Sequence, residues 1–533
     1  YIRQALILFV GLYTSRLVLK ALGVVDFGIF NVVAGIVTML GFLSNAMTTA
    51  CQRYFSFDIG KEDEKHLKRV YDTSFFIYFV IALVIALICE TAGLWLVKHK
   101  LIIPAERLNA SEIVLHLSVL TFFVTVMTTP FTAIITAYED MAIYAWMSIF
   151  ECVIKLLLIF LLSYNTCFDN MILYGLILAG IAVSNFFLYG LICLKKYVVC
   201  RGRFFCDILL AKELFQYVVW NMLSGISGAL YNQGVNLVLN VFCGPVVNSA
   251  RAIAAQVNGA VASFSSKFST AVQPQLTKNY AVNAFDDLYT QLYRSIKFLY
   301  ALMFIFVLPL SLEIHFVLRV WLGEYPAYTA IFTVLTLFSG CIDVITYPLD
   351  TLNQATGKVK AYQFFTSVAT LANLPLAIGT LAVGFQPYSV VIINIVLRCI
   401  AVGVRLFVLR SCSTGFYIRS CLRYAVLPII LFTVFSVPVP LFFKIVLRSQ
   451  ILCFFIVVIS SVCMTVILGW LILLCKNERF KLHVLMQQKL KIFAKVFSIK
   501  IFLLPYNYKK FTRRFYNVRK NYSIQKKSAA KFL

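Results

Sequence analysis

Between Trp220 and Gln273 the chain reads WNMLSGISGALYNQGVNLVLNVFCGPVVNSARAIAAQVNGAVASFSSKFSTAVQ. Two runs of membrane-crossing length are separated there by Gly244-Pro245, and each is polar along one side. On the first, Asn221, Ser224, Gly228, Asn232, Asn236 and Asn240 recur at three- or four-residue intervals and share a helix face. On the second, Arg251, Asn258, Ser265, Ser269 and Gln273 do the same, with Ala255 and Ala262 between them. Amides and a guanidinium are costly in hydrocarbon and are expected to face protein or a water-filled cavity. Such amides can serve only to hydrogen-bond one helix to another beside small residues. So many polar or small positions on two successive helices point instead to a hydrophilic passage.

The elements that must hold this passage follow from composition. Of 533 residues, 61% are hydrophobic and 13% charged, and the mean hydropathy is +0.87. That is the balance of a polytopic helical membrane protein. About fourteen apolar runs of roughly 20 residues are visible, each long enough for a ~30 Å hydrocarbon core. They fall near 2–22, 27–50, 73–97, 112–136, 142–163, 171–194, 214–242, 247–272, 295–312, 327–351, 361–383, 389–410, 424–443 and 450–475. The first residue is Tyr1 rather than a methionine, so a few residues are expected to precede it, and no signal peptide is visible.

The net charge of +26 is explained by its placement. With both termini cytoplasmic, 34 of the 48 Lys and Arg fall on the cytoplasmic side, 6 on the outer connections, and 8 in or at the edges of spans. This is the positive-inside asymmetry of a multi-pass membrane protein with cytoplasmic termini; the resemblance described below implies the bacterial cytoplasmic (inner) membrane. Nucleic acid is not an expected partner. From Lys476 the tail carries 16 Lys and Arg against the single acid Glu478, with basic and apolar residues alternating at helical spacing. It reads as an amphipathic segment lying on anionic membrane lipid.

Chemistry of the enzymatic kind has no visible footing. The sequence lacks a GxxxxGK[ST] loop, HExxH and GxSxG. Its fifteen cysteines form no CxxC, and no Cys/His cluster has metal spacing. No cofactor, metal or catalytic residue is expected, and the chain is expected not to be an enzyme. Three further intramembrane positions invite an ion-coupling reading. Glu151 and Lys155 are spaced i, i+4 and should pair with each other. Asp343 lies deep in its span and seven residues from Asp350. Near the first bend, Arg16 and Lys20 share a face, either as interfacial anchors or as a cationic lining for an anionic substrate.

The chain also resembles itself. Offset by 221 residues, Gly23 falls on Gly244, Ala34 on Ala255, Ser44 on Ser265 and Gln52 on Gln273. Upstream, after a small gap, Leu12-Tyr13 falls on Leu230-Tyr231. A shift of six spans gives parallel halves with substrate between them, as in some transporters. The expected organisation is an all-α integral membrane protein of about fourteen helices. It has an N-lobe (1–200, helices 1–6), a C-lobe (201–412, helices 7–12), two extra helices (413–475) and the basic tail (476–533).

Three strings carry a resemblance to a known family: GLYTSRLVLKALGVVDFGIFNVVAGIV, AYEDMAIYAWMSIFECVIKL and LYNQGVNLVLNVFCGPVVNSARAIAAQVNGAV. They are similar to the polysaccharide-exporter branch of the multidrug/oligosaccharidyl-lipid/polysaccharide superfamily, which includes O-antigen (lipopolysaccharide) and capsule flippases. The resemblance implies two six-helix lobes that move an undecaprenyl-pyrophosphate-linked oligosaccharide to the outer leaflet for surface polysaccharide assembly. It also implies that Arg16, Arg251 and Lys267 meet the pyrophosphate, with Asn232, Asn236 and Asn258 lining the same passage. Other polysaccharide-assembly proteins are then possible partners. The competing expectations are an ion-coupled multidrug antiporter of the same fold and a membrane glycosyl polymerase. The absence of any long outer loop weighs against the polymerase, and the basic character of the deep charges weighs against the antiporter.

Overall fold

A computed structural model describes residues 2–41, 51, 54–55, 58–59, 63–138, 140–164, 168–201, 207–212, 226–356, 359–413, 415–447, 449–474 and 479. The described residues are predominantly helical, with no strand among them. Among the described residues, eleven helices are long and apolar enough to cross a membrane. Three further crossings expected from sequence have physical reasons for escaping that criterion. The helix α1 (Ile2–Met39) holds two expected crossings end to end through a bend at Gly23 and is counted only once among the eleven. The crossing at 214–242 is described only from residue 226. The third, α7 (Pro245–Ala281), is diluted by its own Asn, Gln, Ser and Arg residues. Together they restore the fourteen.

Between α1 and α7 the chain builds α2 (Glu64–His99), α3 (Leu108–Ala137), α4 (Met141–Tyr164), α5 (Asn170–Lys196) and α6 (Val235–Cys243). Then follow α8 (Phe285–Leu312), α9 (Ile314–Leu322), α10 (Thr329–Ala355), α11 (Val359–Leu371), α12 (Asn373–Ala382) and α13 (Ser389–Cys412). The last pair is α14 (Ile418–Val446) and α15 (Gln450–Leu468). Everything to Gly469 is one compact unit. In the second unit, Trp470–Leu533, only 470–474 and 479 are described, and Arg479 donates to the carbonyls of Leu471 and Leu474. The rest of the predicted basic tail lies outside the described residues.

The internal repeat is written into the backbone. Gly23 has φ 78°, ψ 173°, and Gly244 has φ 81°, ψ 179°. Both are left-handed-side φ values that only glycine adopts without strain. Two sharp bends of the same shape therefore sit at positions that the 221-residue offset superposes. The bends also meet. Gly28 lies so close to α7 that a Cβ there would fall 2.0 Å from the Pro245 carbonyl oxygen. Ser249 donates to the Val24 carbonyl at 2.6 Å. In the repeat register Val24 matches Pro245 and Gly28 matches Ser249, so α1 and α7 cross on equivalent residues.

The buried apolar residues form several clusters. One buried cluster joins α1, α2, α3 and α5 (Ile29, Val33, Val114, Leu115, Ile177) and reaches Ile253, Ile314 and Leu318 of the second half. Another joins α6, α7, α10, α12 and α13 through Val235, Leu239, Ala250, Phe332, Ala377 and Val390. At the bend end of the first half Arg107 clamps Asp26, at 2.9 Å, and Asp169. Asp169 also caps α5 through the Met171 amide at 2.9 Å.

Candidate functional site

Beside the apolar contacts of that first cluster, polar contacts also join the two halves. Ile102 N–H donates to Asn240 Oδ1 at 2.9 Å, and Trp321 Nε1 donates to the Leu12 carbonyl at 2.9 Å. Deeper, Gln256 Nε2 donates to the Gly11 carbonyl at 3.2 Å and to the Ser15 hydroxyl. At the matching depth Gln233 Oε1 lies 2.9 Å from where a Gly35 Cβ would stand. These two contacts are counterparts. The Leu12-on-Leu230 alignment puts Ser15 on Gln233, and the 221-residue offset puts Gly35 on Gln256. Gly35 and Gln256 each lie twelve residues from their bend, or about 18 Å at 1.5 Å per residue.

From Gln233 a continuous polar chain runs into the second half. Gln233 accepts from Asn236 Nδ2 at 2.9 Å, and Asn236 Oδ1 accepts from Arg251 Nη1 at 2.8 Å. Asn248 steadies the chain by donating to the Asn236 carbonyl at 3.0 Å. The Tyr231 hydroxyl interacts with the same guanidinium. Over the Tyr231 ring the Arg398 guanidinium sits 5.3 Å from the centroid, a cation–π contact. Arg398 is ion-paired with Asp343 and donates to Asn394, which donates to Ser339 at 3.0 Å. One further rung, Asp350 with Arg405 at 2.6 Å, joins the same two helices.

Electrostatically the two arginines differ. Arg398 has a carboxylate. Among the described residues Arg251 has none, and its partners are a neutral amide and a phenol. An intramembrane cation without a counter-ion is expensive. Seven residues from its bend, Arg251 lies at the same depth as Arg16, which is seven residues from the other, about 10 Å in. The two do not share a cluster: Arg16 is exposed and donates to the Val320 carbonyl at 3.3 Å.

The remaining sequence candidates are dispersed. Asn232 is exposed and donates back to the Gly228 carbonyl at 3.0 Å. Asn258 faces Gly340 and Met303, and its Oδ1 has no partner. That is a contact within the second half. Lys267 is on α7, but its side chain lies outside the described residues, as do Asn221 and Ser224. The expected Glu151–Lys155 pair does not form: no ion pair joins them among the described residues, Glu151 being exposed and Lys155 half-buried on α4. Asp343 is held by Arg398 rather than open to a cation. Sequence reasoning missed Tyr231, Gln233 and Arg398 as members of the network. The signal for Arg398 was present: Arg398 and Arg405 are seven apart, as are Asp343 and Asp350.

The two matching glycine bends and the eleven membrane-length helices of the described residues define an all-helical multi-pass membrane fold. Solved structures place it. The chain is similar to the lipid II flippase MurJ in an inward closed conformation (TM-score 0.65, 15% identity, 88% of this chain and 96% of that one). It is similar also to an inward-facing multidrug resistance MATE transporter of the MOP superfamily (TM-score 0.58, 16% identity, 77% and 96%). A third is a MOP-superfamily transporter from Pyrococcus furiosus described as having a binding pocket of reverse polarity (TM-score 0.52, 14% identity, 76% and 94%). At these identities the likeness is one of fold. Neither a family model nor a curated protein sequence matches the chain.

Proposed function

We propose that this protein is a flippase that carries an undecaprenyl-pyrophosphate-linked oligosaccharide across the bacterial cytoplasmic membrane for surface polysaccharide assembly. The observation that carries the reading is Arg251, a cation within the seam whose partners are neutral. A pyrophosphate cannot cross hydrocarbon unaided, since each unpaired polar group costs several kcal/mol to strip of water. Arg251, oriented by Asn236 and Tyr231, supplies the compensating charge. Arg16 and Lys267 are further cations for the same head group, and Asn232 lines the route. The prenyl chain stays in lipid while the lobes, 1–200 and 201–412, rock about the seam. In this reading the termini are cytoplasmic and the protein transports without catalysing covalent chemistry. An ion-coupled drug antiporter would want an open acidic site, and the Asp343–Arg398 pairing leaves none at that position.

The test is loss of surface polysaccharide. Arg251→Ala abolishes it while the protein remains at normal level in the membrane, and Arg251→Lys retains part. Wild-type polysaccharide in the Arg251→Ala strain would remove the anion site and the proposal with it.

A further inference from the structure

The first half contains a cavity of about 540 Å³ between α1, α3 and α5, within the usual ~300–1,000 Å³ range of ligand pockets. None of its lining residues is charged. Its polar wall is made of hydroxyls: Ser118, Thr121, Thr125 and Thr129 recur along one face of α3, and Thr38 faces them from α1. Four of these spend their proton locally. Thr38 donates to the Gly35 carbonyl at 3.2 Å and Thr121 to Leu117 at 2.7 Å. Thr125 donates to Thr121 at 2.7 Å and Thr129 to Thr125 at 3.2 Å. What they turn toward the cavity is therefore acceptor lone pairs. Phe30 and Phe122 complete the wall with aromatic surface.

That combination selects a ligand class. A metal cation would call for carboxylates or a dense oxygen cage, and a phosphate for donors or positive charge; the lining offers neither. An alkyl chain has no use for a row of acceptors. A neutral ligand rich in hydroxyl donors, with apolar ring faces to lay on Phe30 or Phe122, uses every feature. The location fits as well. Gly35, against which Gln233 packs, lies in the α1 sequence between Ala34 and Thr38 of the cavity wall. The cavity thus adjoins the start of the polar chain that ends on Arg251. Thr38 and Thr125 are exposed, so the space is not sealed. In the repeat register Phe30 is the counterpart of Arg251, one half carrying an aromatic ring where the other carries a cation.

We infer that this hydroxyl-lined cavity is a carbohydrate subsite, which takes a sugar residue of the cargo while Arg251 takes its diphosphate. The inference rests on the flippase reading. Its test uses the full chain in lipid nanodiscs with two probes, undecaprenyl diphosphate and undecaprenyl diphosphate bearing one N-acetylglucosamine. The wild-type protein binds the sugar-bearing probe more tightly. Thr125→Val and the double variant Thr121→Val/Thr125→Val erode that preference by about fivefold per hydroxyl, the worth of one hydrogen bond. Thr125→Ser, which keeps the oxygen, restores it. Arg251→Ala weakens both probes alike. No preference in the wild type, or a preference untouched by the valine variants, overturns the carbohydrate subsite while leaving the flippase reading standing. Failure of the wild type to bind either probe overturns both.

Discussion

Gly28 offers the sharpest test of how the halves meet. A methyl group at this position would sit 2.0 Å from the Pro245 carbonyl oxygen and 2.7 Å from its carbon. Ordinary contact needs at least 3.4 Å, so Gly28→Ala requires α1 and α7 to part by about 1.4 Å at their crossing. The obstacle is backbone at the start of a helix, which cannot rotate aside. Overpacking of this kind costs about 1–3 kcal/mol, and the upper figure is the relevant one here. If this crossing is present only when the bend end is shut, the variant disfavours that state by about 3 kcal/mol, roughly a 150-fold change in the conformational ratio. Spin labels at Glu106 and Glu324, exposed on opposite halves near the bends, report the change as a shift toward longer distances. The labels must be attached by non-cysteine chemistry because the chain carries fifteen cysteines. An unchanged distance distribution in Gly28→Ala, with unchanged transport, would refute the idea that this crossing governs which end is open.

Arg107→Ala leaves Asp26, only 6% exposed, without its counter-charge; it lowers stability by about 3 kcal/mol in thermal unfolding, and adding Asp26→Asn recovers part of the loss. Either Asp343→Asn or Arg398→Gln alone destabilises more than the two together, since each single change strands one charge of the pair. Arg398→Gln also loosens Tyr231 and so weakens binding of a diphosphate lipid without abolishing it. Asp140, in the connection before α4, is held below the usual carboxylate range by hydrogen bonds from Lys196 and Tyr197. With its folded value depressed, that contribution is present above about pH 4 and is lost as pH falls through the lowered value; hydrogen exchange around 197–201 accelerates correspondingly, by less than about 1 kcal/mol because the pair is exposed.

Much of the architecture was legible in the sequence because it is local. Glycine at the two bends, apolar runs of membrane length and the amide rows on successive helices all follow from neighbours in the chain. The placement of Asn236 beside Arg251 was legible for the same reason: they flank one bend, eight residues before it and seven after. Asn258 shows where that reasoning stops. Its spacing puts it in a row with Arg251, yet seven residues along a helix with 3.6 per turn drifts by about 20°, and Gly340 of α10 opens a close approach that draws the amide into the second half. The Arg398–Asp343 partnership needed the relative register of α10 and α13, which no local pattern fixes. Glu151 and Lys155 had ideal spacing and still did not pair, because spacing permits a contact without selecting the rotamers that make it.

The crossing of α1 and α7 has a mechanical corollary. Ser249 is four residues from the start of a 37-residue helix, so about 6 Å of α7 lies on one side of the pivot and about 48 Å on the other. A rotation of about 10° about that point displaces the short arm by about 1 Å and the long arm by about 8 Å. In the rocking motion proposed for the lobes, a fulcrum so near one tip would turn a slight yielding at the bends into a wide gape at the opposite membrane face.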